Sequence, residues 1–171
     1  VWQGGMSSHG GFIGVVIALW FSLRSCQNHM LAIADVVVVP VAIGLALGRL
    51  GNFINQELYG IATTVPWGIA VPGLDELRHP TQLYAIAKNV LITGMCYWHL
   101  THQSRLNGRT AALFLMLYGV LRFIVEIYRA QSFAGLDLGV LTLSRGQLLT
   151  LPIFAVGMWL WWWVGRIQNP R

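Results

Sequence analysis

The chain has 171 residues, of which 56% are hydrophobic and 10% charged, with a mean hydropathy of +0.60. Because soluble domains carry about a quarter charged residues, this composition excludes an ordinary soluble globular domain. The net charge of +5 rests on ten arginines and one lysine that stand singly, not in a basic patch, so no nucleic-acid partner is expected. Cys26 and Cys96 give no disulfide framework and no metal-ligand spacing, and neither a metal nor a cofactor is expected.

Five stretches of the chain have the length and apolar character of a membrane-spanning helix, which needs ~20 largely apolar residues. They cover residues 4–23, 31–53, 81–100, 111–130 and 146–165. The sequence therefore predicts an all-α fold, a polytopic transmembrane helix bundle with about five spans. Residues 1–171 are expected to form a single transmembrane domain with a long external loop at about residues 54–80.

The charges between these stretches predict the orientation, because short loops rich in arginine stay in the cytoplasm. One set of alternate loops and the C-terminus carry five arginines without an acid: Arg24, Arg105, Arg109, Arg166 and Arg171. The other set holds Asp75, Glu76 and Asp137. A multi-pass membrane protein with a cytoplasmic C-terminus and an external long loop is the prediction.

Two pairs of glycines have the G-x-x-x-G spacing that lets helices approach closely in lipid. Gly10 is followed by Gly14, and Gly44 by Gly48. Both pairs are interpreted as helix-packing positions.

Polar residues recur at one predicted depth in every stretch, although an ionised group in hydrocarbon costs at least ~2.5 kcal/mol. They are His9, Arg49, Asn52, His79, Gln82, Arg122, Glu126, Arg129, Arg145 and Gln147. In the fourth stretch, Tyr118, Arg122, Glu126 and Arg129 follow at intervals of four, four and three, which places them on one helix face. An ion pair of Arg122 with Glu126 that merely satisfies both charges is one interpretation.

The other interpretation is a positive pocket, since Arg49, Arg122 and Arg129 outnumber Glu126 at that depth. Arginine binds phosphate oxygens in pairs and does not lose its proton, so an anionic phospholipid is the implied ligand. The residues alone leave open whether the lipid is only bound or also reacts.

Residues 48–60, which read G-R-L-G-N-F-I-N-Q-E-L-Y-G, closely resemble the signature of the bacterial phosphatidylglycerol:prolipoprotein diacylglyceryl transferases. Three further segments resemble the same family in the same order: residues 4–11, residues 78–84 and the Tyr118 to Arg129 face. The resemblance implies transfer of the diacylglyceryl group of phosphatidylglycerol to the lipobox cysteine of a preprolipoprotein. That thioether-forming reaction is the first step of lipoprotein maturation, in the bacterial cytoplasmic (inner) membrane.

The resemblance also implies roles for individual residues. His9, Arg49 and Arg122 are expected to be catalytic. The expected substrate-binding residues are Arg49, Asn52, Glu57, Gly60, His79, Gln82, Tyr118, Glu126 and Arg129. Because the chain begins where the middle of the family begins, it is expected to be the C-terminal part of a longer transferase, a fragment lacking the N-terminal helices.

The mechanistic hypothesis has Arg49 and Arg122 holding the phosphate at the outer leaflet while His9 acts as general base. His9 at a helix start, bonded to a backbone carbonyl, is the alternative for that residue. Asn52 and Gln82 are expected to donate hydrogen bonds to glycerol hydroxyls or phosphate, and His79 to cap the third stretch. The rival function is a non-catalytic membrane protein that binds or transports anionic phospholipid.

Overall fold

The computed structural model describes residues 30–103, 107–130, 136–137 and 142–168. Within them the chain forms four helices: α1 (Met30–Ile54), α2 (Thr81–His102), α3 (Arg109–Ile127) and α4 (Arg145–Gln168). Two short strands, β1 (Leu136–Asp137) and β2 (Thr142–Leu143), pair antiparallel between α3 and α4. The all-α fold class is confirmed, and the hairpin falls in a segment that the sequence predicted only as a loop.

Three of the described helices are long and apolar enough to cross a membrane: Met30–Ile54, Arg109–Ile127 and Gly146–Arg166. The prediction of about five spans is therefore too high for the described residues. The first predicted stretch lies outside them. The helix predicted at residues 81–100 forms, but buried polar residues such as Gln82, Lys88 and Asn89 make α2 less apolar than the other three.

The arrangement of polar and apolar side chains is that of a membrane protein. In the apolar 18-residue segment of α1 only 17% of the residues are buried inside the protein, and the share is the same in α4. Large apolar side chains such as Leu47 and Trp159 point outward, whereas Asp35, Lys88 and Glu126 are buried. An apolar exterior around polar interior groups is stable when lipid, not water, surrounds the helices.

The helices pack around a small apolar core made by Ala42 of α1, Ile92 and Cys96 of α2, and Phe114 of α3. Helix α4 packs against α3, where Gly119 lets the two backbones approach: a Cβ built there would lie 2.9 Å from the Phe154 Cβ. Antiparallel packing brings the end of α1, the start of α2, the end of α3 and the start of α4 together, and we call this region the site end.

The packing interpretation of Gly44 and Gly48 stays a prediction, because none of the described helices tests it. A Cβ built on either residue meets no described atom within 4 Å, so no other helix of the described residues packs there. Both glycines instead border an open cavity, described below. The pair Gly10 and Gly14 lies outside the described residues.

The opposite end of the bundle is held by Asp35, a fully buried carboxylate of α1. Its Oδ2 accepts hydrogen bonds from the backbone N–H groups of Asn107 (2.9 Å) and Gly108 (2.8 Å), and its Oδ1 from that of Ala111 (2.8 Å). These donors lie immediately before α3 and in its first turn, and the helix lacks a side-chain cap of its own. A carboxylate from a neighbouring helix therefore satisfies the N–H groups that a helix start leaves unpaired.

The start of α4 is capped locally. The Ser144 N–H donates to Gln147 Oε1 (2.9 Å), and the Gln147 N–H donates to Ser144 Oγ (3.0 Å). This reciprocal pair is a capping box, which fixes where α4 begins and hence where its first turn meets α3.

We predict that Asp35→Asn lowers the stability of the protein by about 2 kcal/mol, because an amide group would present N–H donors to N–H donors. Thermal unfolding in detergent, followed by tryptophan fluorescence, measures the effect as a lower midpoint. Asp75→Asn, at an exposed loop position, is the matched control and should leave the midpoint unchanged. Equal midpoints for the two variants would contradict the capping role.

Candidate functional site

The chain leaves α1 through a tight turn within the segment that carries the signature. The N–H of Glu57 donates to the carbonyl of Asn52 (2.9 Å), which extends the last helical turn. Gln56 (φ 55°) and Leu58 (φ 58°) then adopt left-handed backbone conformations that residues other than glycine seldom take. Such strain persists only where surrounding contacts hold it, and it is commonest at functional sites.

Those contacts come from the first residues of α2. Thr81 Oγ1 donates to the carbonyl of Leu58 (2.9 Å), and Gln82 Nε2 donates to the carbonyl of Glu57 (2.6 Å). The Gly60 N–H donates to the carbonyl of His79 (2.9 Å). The segments at residues 48–60 and 78–84, distant in sequence, thus form one hydrogen-bonded unit.

A cavity of about 810 Å³ lies at the site end between α1, α3 and α4. We call it the arginine cavity. Its polar lining consists of Arg49, Asn52, Glu57, Tyr118, Arg122, Arg129 and Thr150, and its other lining residues are Gly44, Leu45, Gly48, Leu58, Gly146, Leu149 and Ile153. Guanidinium groups from two helices therefore face the same space.

One buried carboxylate organises two of the three arginines. Glu126 Oε2 lies 2.7 Å from Arg122 Nη2 and 3.7 Å from Arg129 Nη1, and its side chain is only 7% exposed. Arg49 has no carboxylate within ion-pairing distance among the described residues. Because Glu57 also lines the cavity, three cations face two carboxylates, and the positive surplus is smaller than the sequence indicated.

Helix α4 passes directly over this ion pair. A Cβ built on Gly146 would overlap the carboxylate of Glu126. A glycine at this position is therefore a steric condition for the Arg122–Glu126 contact.

The structure brings six of the predicted site residues to the arginine cavity and sets Glu126 behind it. The six are Arg49, Asn52, Glu57, Tyr118, Arg122 and Arg129. His9 lies outside the described residues. Gln82 lines a different cavity and has its amide donor engaged by Glu57, so in this structure it does not face the arginines.

Two more predicted site residues contribute to packing in the loop. A Cβ on Gly60 would lie 2.7 Å from the Cβ of His79, so no larger residue fits there. His79 Nδ1 is 3.0 Å from the hydroxyl of Tyr84, which accepts a hydrogen bond from Trp67 Nε1 (2.7 Å). His79 also meets the ring of Tyr128 edge-on. It stands beside the start of α2, as expected for a residue that orients this helix.

Lys88 is a further cation that the sequence interpretation left without a role. It is buried, its Nζ donates to Asn89 Oδ1 (2.6 Å) and lies 4.4 Å from the centre of the Tyr118 ring. Tyr118 thus separates Lys88 from the arginine cavity. The sequence could have marked Lys88 as a candidate site residue, since it is the single lysine of the chain and stands in an apolar stretch.

This arrangement suits one class of ligand. Planar guanidinium groups on facing helices can each bind two oxygens of a phosphate, while Asn52 and Tyr118 offer uncharged hydrogen-bonding groups beside them. The walls made by Leu45, Leu149 and Ile153 are apolar. The cavity therefore matches an anionic head group attached to apolar chains.

Comparison with known proteins agrees with this chemistry. The model of the prolipoprotein diacylglyceryl transferase family matches residues 1–163 of the chain. The chain belongs to this family. The membership predicted from the signature is thereby confirmed, and the hydrogen-bonded unit of residues 48–60 and 78–84 is the site-end framework of this family member.

Three curated relatives are each named phosphatidylglycerol--prolipoprotein diacylglyceryl transferase. The one from Legionella pneumophila (strain Corby) is 44% identical over 166 residues, which cover 95% of this chain and 64% of the relative. The one from Coxiella burnetii (strain RSA 331 / Henzerling II) is 41% identical over 97% of this chain and 64% of the relative. The one from Nitrosomonas europaea is 42% identical over 99% and 61%. The chain thus spans somewhat less than two thirds of the length of these relatives.

We predict that Gly146→Ala lowers stability by about 1–3 kcal/mol, because the added methyl group forces Glu126 away from Arg122. The measurement is the thermal midpoint of the protein in detergent. Gly94→Ala is the matched control, since a Cβ at Gly94 meets no described atom within 4 Å. An unchanged midpoint for Gly146→Ala would show that the carboxylate is not held by α4.

Proposed function

We propose that the protein transfers the diacylglyceryl group of phosphatidylglycerol to the lipobox cysteine thiol of preprolipoproteins. The observation that carries the proposal is the arginine cavity, in which Arg49 of α1 faces Arg122 and Arg129 of the α3 end. The names of the relatives support the same reaction, because they specify phosphatidylglycerol and prolipoprotein.

In the proposed complex, Arg49 and Arg122 bind the phosphate of the lipid, with Arg129, Asn52, Glu57 and Tyr118 completing the binding site. Arg49 is the arginine with no acidic partner among the described residues, so its charge is available to a ligand. Glu126 acts as a positioning residue, since its 2.7 Å contact orients the Arg122 guanidinium towards the cavity. The acyl chains extend along the apolar helix faces.

The bond changes follow from the chemistry of the two substrates. The cysteine thiolate attacks the carbon of the diacylglyceryl group that bears the phosphate. A carbon–sulfur bond forms as the bond between this carbon and the phosphate oxygen breaks. The electron pair stays on the phosphate oxygen, which leaves as glycerol 1-phosphate. Cations preorganised around the developing charge in a water-poor site stabilise this transition state, which is usually the largest catalytic contribution.

The thiol must lose its proton before or during attack, because a free cysteine has a pKa of ~8.5 and is mostly protonated at neutral pH. His9 is the proposed base. Its imidazole would take the proton of the thiol, and the field of the arginines would favour the thiolate that remains.

The proposed location is the bacterial cytoplasmic (inner) membrane, with the arginine cavity towards the outer leaflet and the C-terminus in the cytoplasm. The distribution of arginines supports this orientation. Arg105 lies between α2 and α3 in the sequence, Arg109 begins α3, and Arg166 lies near the end of α4. Short positively charged loops remain cytoplasmic.

The deciding experiment is incubation of the full-length protein, in detergent or nanodiscs, with phosphatidylglycerol and a lipobox peptide. Thioether-linked peptide and released glycerol phosphate are the expected products. Tight phosphatidylglycerol binding without turnover would instead support the rival function, a membrane protein that binds or moves anionic phospholipid.

We predict that Arg122→Lys lowers kcat/KM about a hundredfold, because lysine keeps the charge but cannot bind two phosphate oxygens at once. The same transfer assay measures the loss. Arg166→Lys is the matched control, since Arg166 lies near the far end of α4 over the ring of Trp162. Near-normal turnover of Arg122→Lys would remove phosphate binding by Arg122 from the mechanism.

A further inference from the structure

A second cavity, of about 470 Å³, lies on the other side of the signature turn. We call it the glutamine cavity. It is lined by Phe53, Ile54, Gln56, Tyr59, Ile69, Ala70, Val71 and Gln82. None of these residues lines the arginine cavity. The turn itself separates the two spaces, because Glu57 and Leu58 line the arginine cavity whereas Gln56 and Tyr59 line the glutamine cavity.

Gln82, one of the residues that line the glutamine cavity, carries an acceptor without a donor among the described residues. Gln82 is 2% exposed, and its Nε2 donates to the carbonyl of Glu57, which fixes the orientation of the amide. Its Oε1 is buried and receives no hydrogen bond from the described residues. A buried acceptor of this kind needs a donor, so the cavity favours a ligand that carries an N–H or O–H group.

The lining also excludes the head group of an anionic lipid. Among the described residues it contains no charged side chain, and Phe53, Ile54, Ile69, Ala70 and Val71 make it mainly apolar. A phosphate would lose its hydration here without gaining a cation, whereas the neighbouring cavity supplies three arginines. The ligand that fits is uncharged, apolar on most sides and provided with one hydrogen-bond donor. A peptide segment with small apolar side chains and a free backbone N–H meets all three conditions.

We propose that the glutamine cavity binds the uncharged segment next to the acceptor cysteine of the protein substrate, with a backbone N–H of that segment donating to Gln82 Oε1. This inference rests on the proposed function, in which lipid and peptide must meet. The lipid phosphate occupies the arginine cavity, and the peptide enters from the opposite side of the turn. Gln82 lines the glutamine cavity and is linked to the arginine cavity through Glu57, because its donor holds the backbone of Glu57, whose side chain lines the arginine cavity.

The first test compares kinetic constants of the full-length protein with phosphatidylglycerol and a lipobox peptide. Ala70→Trp fills the cavity from an exposed position, and Gln82→Met removes the acceptor, together with the donor to Glu57, at nearly constant length. Both should raise KM for the peptide about tenfold, which corresponds to one lost hydrogen bond or a blocked contact. Ala70→Trp, which leaves the bond from Gln82 to Glu57 in place, should also keep KM for phosphatidylglycerol within about twofold. Thr64→Trp, exposed in the same loop but outside the lining, is the control and should match the unmodified protein.

The result that overturns the proposal is an unchanged peptide KM for Ala70→Trp, or a rise confined to the KM for phosphatidylglycerol. The latter would assign the cavity to the lipid. The thermal midpoints of the variants check that Gln82→Met keeps the fold. If Gln82→Met unfolds, Ala70→Trp alone decides the test.

A second test needs no turnover. A photoreactive benzoylphenylalanine replaces Ala70 in one protein and Thr64 in another, and mass spectrometry identifies what each cross-links to in the presence of the peptide. Cross-linking of the peptide at position 70 but not at position 64 supports the proposal. Cross-links only to lipid or to another part of this chain overturn it. If position 70 cross-links the peptide but the protein forms no thioether, the peptide site stands and the proposed transfer reaction fails. The failure of this inference and the failure of the proposed function are therefore distinguishable.

Discussion

The contact between Arg122 and Glu126 is the constraint on which the site end depends. Its 2.7 Å length and the burial of Glu126 place two opposite charges among apolar helices. Removing one partner of such a pair typically costs about 3–5 kcal/mol, because the other charge is left uncompensated. The neighbours of the pair fit this arrangement, because Gly146 leaves room for the carboxylate and the capping box at Ser144 fixes where α4 begins.

Polar groups hold both ends of the bundle, in different ways. At the end opposite the site, both carboxylate oxygens of Asp35 accept hydrogen bonds, three of them from backbone N–H groups at the start of α3. At the site end, Arg49 lacks an acidic partner and Gln82 Oε1 lacks a donor among the described residues. An unmet buried acceptor costs about 1–3 kcal/mol, so this end carries a free-energy cost that a bound ligand would relieve.

The helices and the arginine cluster could be predicted from the sequence because both follow from local spacing. The predicted stretch 31–53 and the observed Met30–Ile54 differ by one residue at each end. The four-residue interval between Arg122 and Glu126 placed them on one face, where they pair. The division of the site end into two cavities was not predictable, because it depends on the left-handed turn at Gln56 and Leu58. Neither residue type signals that conformation, so Glu57 and Gln82 were both expected to bind substrate, with no division between two cavities.

Separate cavities resolve a physical conflict between the two proposed substrates. An anionic head group needs cations and hydrogen-bond donors, whereas an uncharged peptide segment needs apolar walls and an occasional acceptor, and neither environment suits the other ligand. A shared space would expose the peptide to charge and the arginines to apolar surface. The strained turn at residues 56–58 separates the two cavities, which lie on its opposite sides. The 2.6 Å hydrogen bond from Gln82 to the Glu57 carbonyl stabilises this turn. Because that bond joins the wall of one cavity to the lining of the other, a peptide bound to Gln82 would also steady Glu57 beside the lipid.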